Sequence, residues 1–283
     1  MLLTAYLLAL GSAALYGAAD FLGGLASRRA STIVVLVIAQ AAGLLPLALL
    51  LPLLPGTWSR DDLLWSAAAG LAGSGGVGLL YRALAVGTMS IVAPTTALCA
   101  VVLPVAVDVA GGQGLTLATW IGIGLALVAI VLVSQHDEAR VTNNRALPPG
   151  LALALLSGIA IGLFFITLAR TSPDAGVWPL VVARSVSVAL FSAVALLSAR
   201  PMRIPGAVVQ VVVACGVIDA LANALYLLAT RGGALSVVVT LASLYPASTV
   251  LLARLVIGER VSRRQAIGVA CALAAVVLIV GGA

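Results

Sequence analysis

Three ionisable residues stand inside apolar stretches long enough to cross a membrane: Asp20, Arg184 and Asp219. A charge at such depth costs roughly 2.5 to 3.5 kcal/mol on insertion scales, so each must be paired, face an aqueous cavity or do chemistry. Asp219 lies about 13 residues into its stretch, about 20 Å from that end at 1.5 Å per residue, close to a bilayer midplane. Cys215, Gly216, Asp219, Asn223, Tyr226 and Thr230 follow helical spacing, so one polar stripe runs down this segment. A carboxylate there can hold a substrate amine or exchange a proton, helped by Asn223 and Tyr226. The structural alternative is a hydrogen bond or ion pair inside the bundle, with Arg184 as candidate partner. Arg184 itself can snorkel to the interface or clamp a carboxylate or phosphate with its guanidinium fork. Asp20, placed before the apparent end of the first stretch, can reach interfacial water or form a gating salt bridge with Arg28 or Arg29.

Hydroxyls and prolines supply a second set. Ser90, Pro94, Thr95, Thr96 and Cys99 stand on one stretch, and Ser236, Thr240, Ser243 and Tyr245-Pro246 on another. Proline frees backbone carbonyls, which makes Pro94, Thr95 and Pro246 hinge or cavity candidates and Thr240 a binding candidate. The plainer reading of the hydroxyls is a bond back to their own helix.

These residues need elements to hold them, and composition says which. The 283 residues are 63% hydrophobic and 8% charged, and mean hydropathy is +1.22. That composition describes a polytopic membrane protein. Ten segments satisfy the length of about 20 residues that a span requires: 2–24, 32–55, 63–85, 89–110, 117–134, 150–169, 177–198, 206–230, 235–257 and 265–282. No period-two alternation is present, so an all-α bundle is expected and not a barrel. The N-terminal stretch has no basic region ahead of it and runs on to Gly24, which reads as a first span and not as a signal peptide. Cys99, Cys215 and Cys271 lack metal-type spacing and read as free buried thiols. No metal or cofactor is called for.

The ten segments repeat as five plus five. At an offset of 145 residues Ser12 meets Ser157, Gly17 meets Gly162, and Leu80-Tyr81 meets Leu225-Tyr226; one residue more aligns Ser90 with Ser236 and Gly112 with Gly258. Five spans per repeat invert one half against the other, around a central cavity that can open alternately to the two sides. The expected domains are 1–134 and 150–283, joined by a polar linker at 135–149 that holds the single histidine, His136. At the offset of 145 Asp219 and Asn223 correspond to Ser74 and Gly78, and with one residue fewer Arg184 corresponds to Gln40, so the halves are chemically unequal. Gly70, Gly73, Gly75, Gly76 and Gly78 form a small face suited to close helix packing.

All fifteen basic residues are arginine, and the net charge is +6. They are scattered over short loops without interleaved aromatics, which excludes nucleic-acid binding as a reading. Loops after odd-numbered spans hold Arg28, Arg29, Arg82, Arg140, Arg145, Arg200, Arg203, Arg260, Arg263 and Arg264; the others hold Arg60, Arg170 and Arg231. The positive-inside rule makes the first set cytoplasmic and both termini external.

The run Ala224-Leu225-Tyr226, Gly232, Ser236, Tyr245-Pro246, Gly258-Glu259-Arg260 and Gln265-Ala266-Ile267-Gly268 resembles the second half of an EamA-type carrier of the drug/metabolite transporter superfamily. Tyr81, Gly87, Ser90, Ala93-Pro94, Gly112 and Trp120-Ile121-Gly122 repeat the pattern, with Gln113 where the motif has glutamate. The resemblance implies ten helices in two inverted repeats and export of small metabolites, amino acids or drugs. It also implies cytoplasmic termini, opposite to the arginine count.

Catalysis lacks support, since His136 lies in the linker and no nucleophile, base or carboxylate pair is evident at depth. A channel-like or facilitative pore without ion coupling is the alternative, but the polar stripe is strong in only one half. The sequence therefore points to an alternating-access secondary carrier of a small organic molecule, exporting it across the plasma membrane, in a bacterial cell the inner membrane. Its expected partners are the lipid bilayer, the small-molecule substrate and a proton as candidate coupling ion, and the unit is a monomer or homodimer.

Overall fold

The computed structural model describes residues 2–52, 56–87, 89–112, 114–133, 150–198, 204–252 and 262–281. The linker, Gln113 and the Glu259-Arg260 cluster lie outside them, as do the side chains of Ser90 and Pro94.

The described chain is helical throughout. The first half holds α1 (Leu2–Ser27), α2 (Thr32–Leu50), α3 (Arg60–Val86), α4 (Met89–Ala110) and α5 (Leu117–Val133). The second holds α6 (Leu151–Ala169), α7 (Trp178–Leu197), α8 (Gly206–Thr230), α9 (Leu235–Ala242), α10 (Tyr245–Leu252) and α11 (Arg263–Gly281). Among the described residues α1, α2, α3, α6, α7 and α8 are each long and apolar enough to cross a membrane, and shorter apolar stretches, Thr95–Ala110, Leu117–Leu132, Leu235–Thr249 and Ala266–Ile279, lie in the rest.

The expected continuous ninth span is broken. Pro246 has no N–H to offer the Ala242 carbonyl, and the chain makes a tight turn at Ser243-Leu244, with bonds from Leu244 N to Leu241 O at 3.2 Å and Ala247 N to Leu244 O at 3.0 Å. The pieces α9 and α10 thus form one interrupted crossing, buried from Ser236 to Pro246.

The principal helix contacts join opposite halves. Helix α1 packs on α8 as α6 packs on α3; α1 meets α9 and α10 as α6 meets α4; α2 meets α8 as α7 meets α3. The pairs α2·α7, α4·α9 and α5·α11 each join equivalent helices. Exchanging the halves therefore maps the packing onto itself, as expected of a pseudo-two-fold.

Hydrogen bonds repeat the symmetry. Ser12 donates to the Ala222 carbonyl at 2.8 Å, and its counterpart Ser157 donates to the Gly76 carbonyl at 2.8 Å. Apolar burial gives little drive between helices in lipid, so close approach through small residues must supply it. Gly70 lies so near α7 that a Cβ would sit 2.6 Å from the Ala183 carbonyl oxygen, and a Cβ on Gly216 would run into the Ala39 carbonyl of α2. These two contacts are counterparts, and they bring α3 onto α7 and α2 onto α8 beside the centre of the bundle.

Candidate functional site

A cavity of about 100 Å³ lies where these helices converge. Its polar wall carries Tyr16 and Asp20 from α1, Gln40 from α2, Arg184 and Ser187 from α7, and Asp219 and Asn223 from α8. Phe164 and Phe165 of α6, Leu180 of α7 and Val77 of α3 supply the apolar wall.

Arg184 organises the polar side. It is 5% exposed, Nη1 donates to Gln40 Oε1 at 3.1 Å, and Nη2 is paired with Asp219 Oδ2. Gln40 is the residue that corresponds to Arg184 in the other half, so this bond joins two equivalent positions across the pseudo-two-fold. The arginine does not snorkel to the interface; its fork is spent inside the bundle.

Asp219 accepts a second bond from Asn223 Nδ2 at 3.2 Å, and the same amide donates to the Asp219 backbone carbonyl at 2.7 Å. Asn223 Oδ1 in turn accepts from Tyr16 Oη at 2.8 Å. On the opposite wall Ser74, the counterpart of Asp219, donates to Ser187 Oγ at 2.7 Å. The frame is symmetric and its chemistry is not: ion pair on one side, hydroxyl pair on the other.

Asp20 differs from its expected setting. Helix α1 continues to Ser27, about two turns beyond Asp20, which moves the carboxylate off the helix end and onto the cavity wall. Among the described residues it makes no hydrogen bond or ion pair, to Arg28 and Arg29 or to any other, although it lies within electrostatic range of Asp219.

Of the remaining candidates, Tyr226 and Thr240 lie outside the cavity lining. Tyr226 is fully buried behind it, donates to the Phe165 carbonyl at 3.0 Å and packs on the Phe165 ring at 4.6 Å. Thr240 donates to the Ser236 carbonyl of its own helix at 2.7 Å. Pro246 marks the α9–α10 break, and Thr95 is partly buried on α4. Gly70 and Gly73 both pack against neighbours and line the cavity.

Tyr16, Gln40, Ser187, Phe164 and Phe165 were not read as site residues. An isolated tyrosine or phenylalanine in a span carries no signal of its own; Gln40 alone could have been found, as a polar residue deep in a span opposite Arg184 in the repeat.

The EamA-like transporter family matches this chain twice, over residues 3–135 and 148–281. The chain belongs to the EamA-like transporter family. It is accordingly a transporter and not an enzyme, a multi-pass integral membrane protein of two EamA domains that moves a small molecule. Among solved structures this transporter is similar to one described as "Crystal structure of protein", at 20% identity and a TM-score of 0.66, covering 94% of this chain and 96% of that one. That likeness speaks for the fold. No curated protein matches the sequence.

Proposed function

We propose that this EamA-like transporter is a secondary carrier of small organic molecules that bear an amine and an apolar body, working outward by alternating access. The observation that carries the reading is Asp20: a carboxylate on the cavity wall with no partner among the described residues, where the other deep charges, Arg184 and Asp219, satisfy each other. Two carboxylates against one guanidinium leave one negative charge, which a protonated amine or a proton balances. The apolar body would rest against Phe164, Phe165 and Leu180. A substrate carboxylate, as in an amino acid, would compete with Asp219 for Arg184 and so loosen the bond to Gln40 across the halves.

The cavity is smaller than the ~300 to 1,000 Å³ of common ligand pockets, so its walls would have to part to admit substrate. A proton on Asp20 would serve as counter-ion, because it and the amine exclude each other. The inverted halves, the full cavity within one chain and the interrupted α9–α10 crossing support this alternating cycle without a second subunit.

The test is transport by the purified protein in proteoliposomes, with primary amines, amino acids, lipophilic cations and neutral analogues, with and without a pH gradient. Saturable movement of amine-bearing compounds that Asp20→Asn abolishes supports the proposal. Movement of neutral or anionic compounds alone, or full activity in Asp20→Asn, overturns it; rapid non-saturating flux would make the protein a pore.

A further inference from the structure

The two ends of the bundle are built from equivalent helices, and among the described residues a buried carboxylate joins the halves at one of them. At the end where α1 begins and α11 finishes, Asp62 in the first turn of α3 is 4% exposed and accepts four hydrogen bonds. Two come from Ser59, N at 2.9 Å and Oγ at 2.8 Å, and Asp62 N returns one to Ser59 Oγ at 3.1 Å, which together form a capping box. The other two come from the opposite half: Ser172 N to Oδ1 at 2.6 Å and Ser172 Oγ to Oδ2 at 2.9 Å. A box that caps a helix needs nothing from Ser172, so these bonds serve another purpose.

Independent contacts draw the same parts together. Thr57 N donates to the Asp174 carbonyl at 2.9 Å, and the Trp58 and Trp178 rings meet at 6.3 Å. Arg231, just past α8, donates to the carbonyl and, at 3.1 Å, the hydroxyl of Thr171, fixing the residue before Ser172. Burial lowers the Arg231 pKa from its ordinary value, while the charges of Asp62 and Asp174 favour its protonated form. At the same end, Asp108 of α4 accepts the Ser236 N–H of α9 at 2.8 Å, a second carboxylate bond between the halves.

The far end carries no such arrangement among the described residues. At the repeat offset Ser172 corresponds to Ser27 and Asp62 to Ala207, with Val208 next to it. Ser27 Oγ is buried with no hydrogen-bond partner, and Val208 packs into an apolar cluster with Val35 and Leu36. The orphaned hydroxyl is half of a bond whose acceptor the second half does not have.

We infer that the Asp62–Ser172 contact is a lock, which holds α3 against the α6–α7 connection and closes the path to the cavity at that end, and which has no counterpart at the opposite end among the described residues. Gly70 and Ala69, on the cavity wall, stand two turns along α3 from Asp62, and Leu180 on α7 stands two residues after Trp178. Opening that end must separate α3 from α7, and so must break the lock. The inference rests on alternating access, but not on the amine reading.

The experiment places a cysteine at Leu180, in a background with the three native cysteines replaced by alanine, and measures labelling by a membrane-impermeant maleimide from each face of sealed vesicles. Asp62→Ala removes cap and lock together; Ser59→Ala weakens the cap and leaves both Ser172 bonds. The expected result is labelling from the locked face that rises about tenfold in Asp62→Ala, the scale of one lost charge-assisted contact, and stays unchanged in Ser59→Ala. Equal labelling of the two variants, or no rise in Asp62→Ala, overturns the lock. Should Asp62→Ala fail to fold, Ser172→Ala keeps the cap and removes one lock bond: a rise from that face supports the lock and parental labelling refutes it. None of these readouts needs a substrate, so a failure of the amine proposal leaves them intact.

Discussion

Removing Arg184 tests the site most directly, because its guanidinium is committed to two partners at once. In Arg184→Met the Asp219 carboxylate, 22% exposed, loses its counter-charge and faces Asp20 across a small cavity. Stranding one member of a buried pair costs about 3 to 5 kcal/mol, whereas replacing both members by apolar groups is close to neutral. Asp219 keeps the Asn223 bond and is partly exposed, so the lower end, about 3 kcal/mol, is expected. At roughly 2 to 4 °C per kcal/mol, the variant should melt about 6 to 12 °C below the parent in detergent micelles. Arg184→Met combined with Asp219→Leu should recover most of that loss. The measurement is thermal unfolding of parent, both single variants and the double. If the single effects sum to that of the double within about 0.5 kcal/mol, the two residues are not coupled and the account of the site is wrong.

Four further outcomes follow from the geometry. Asp219→Asn should reduce amine transport in proteoliposomes, because it leaves Arg184 without its counter-charge beside Asp20; full transport would remove Asp219 from the mechanism. Gly216→Ala should strongly destabilise the fold, since a Cβ meets the Ala39 backbone, whereas Gly75→Ala has open space and should gain about 0.5 to 1 kcal/mol in thermal melts. Ser12→Ala and Ser157→Ala should lower stability by the same amount, about 0.6 to 1 kcal/mol each, because they delete symmetry-related bonds. A reporter fused to the C-terminus should be active on the external side, as the excess of arginine at the opposite end requires; a cytoplasmic signal would side with the family expectation instead.

Much of the architecture was legible because lipid leaves the backbone few choices. Stretches such as 206–230 and 89–110 must be helical to satisfy their own N–H and C=O groups, so hydropathy alone located them, and equivalent serines and glycines gave the repeat. The break after Ala242 was legible only in part: Pro246 announced a disturbed helix, but whether it kinks or separates depended on the packing of its neighbours. Helix α1 runs past the apolar stretch to Ser27 because helical bonding does not stop where hydropathy falls, and that difference changed the setting of Asp20.

Depth along a helix and face around it can be counted from sequence, and they were enough to single out Asp20, Arg184 and Asp219 and to place Asp219 on a polar stripe. What those charges meet cannot be counted. Arg184 reaches Asp219 and Gln40 only because α2 packs against both α7 and α8, and Asp20 shares the cavity wall with Arg184 yet pairs with nothing among the described residues. Tyr226 and Thr240 share the polar pattern yet face protein, for the same reason. Sequence thus determined which segments span, that they repeat and which residues are costly at depth, all consequences of the bilayer as solvent. Tertiary structure decided which of those costs are met by a partner and which are not, since side-chain pairing depends on contacts between helices more than two hundred residues apart, such as Ser12 with Ala222.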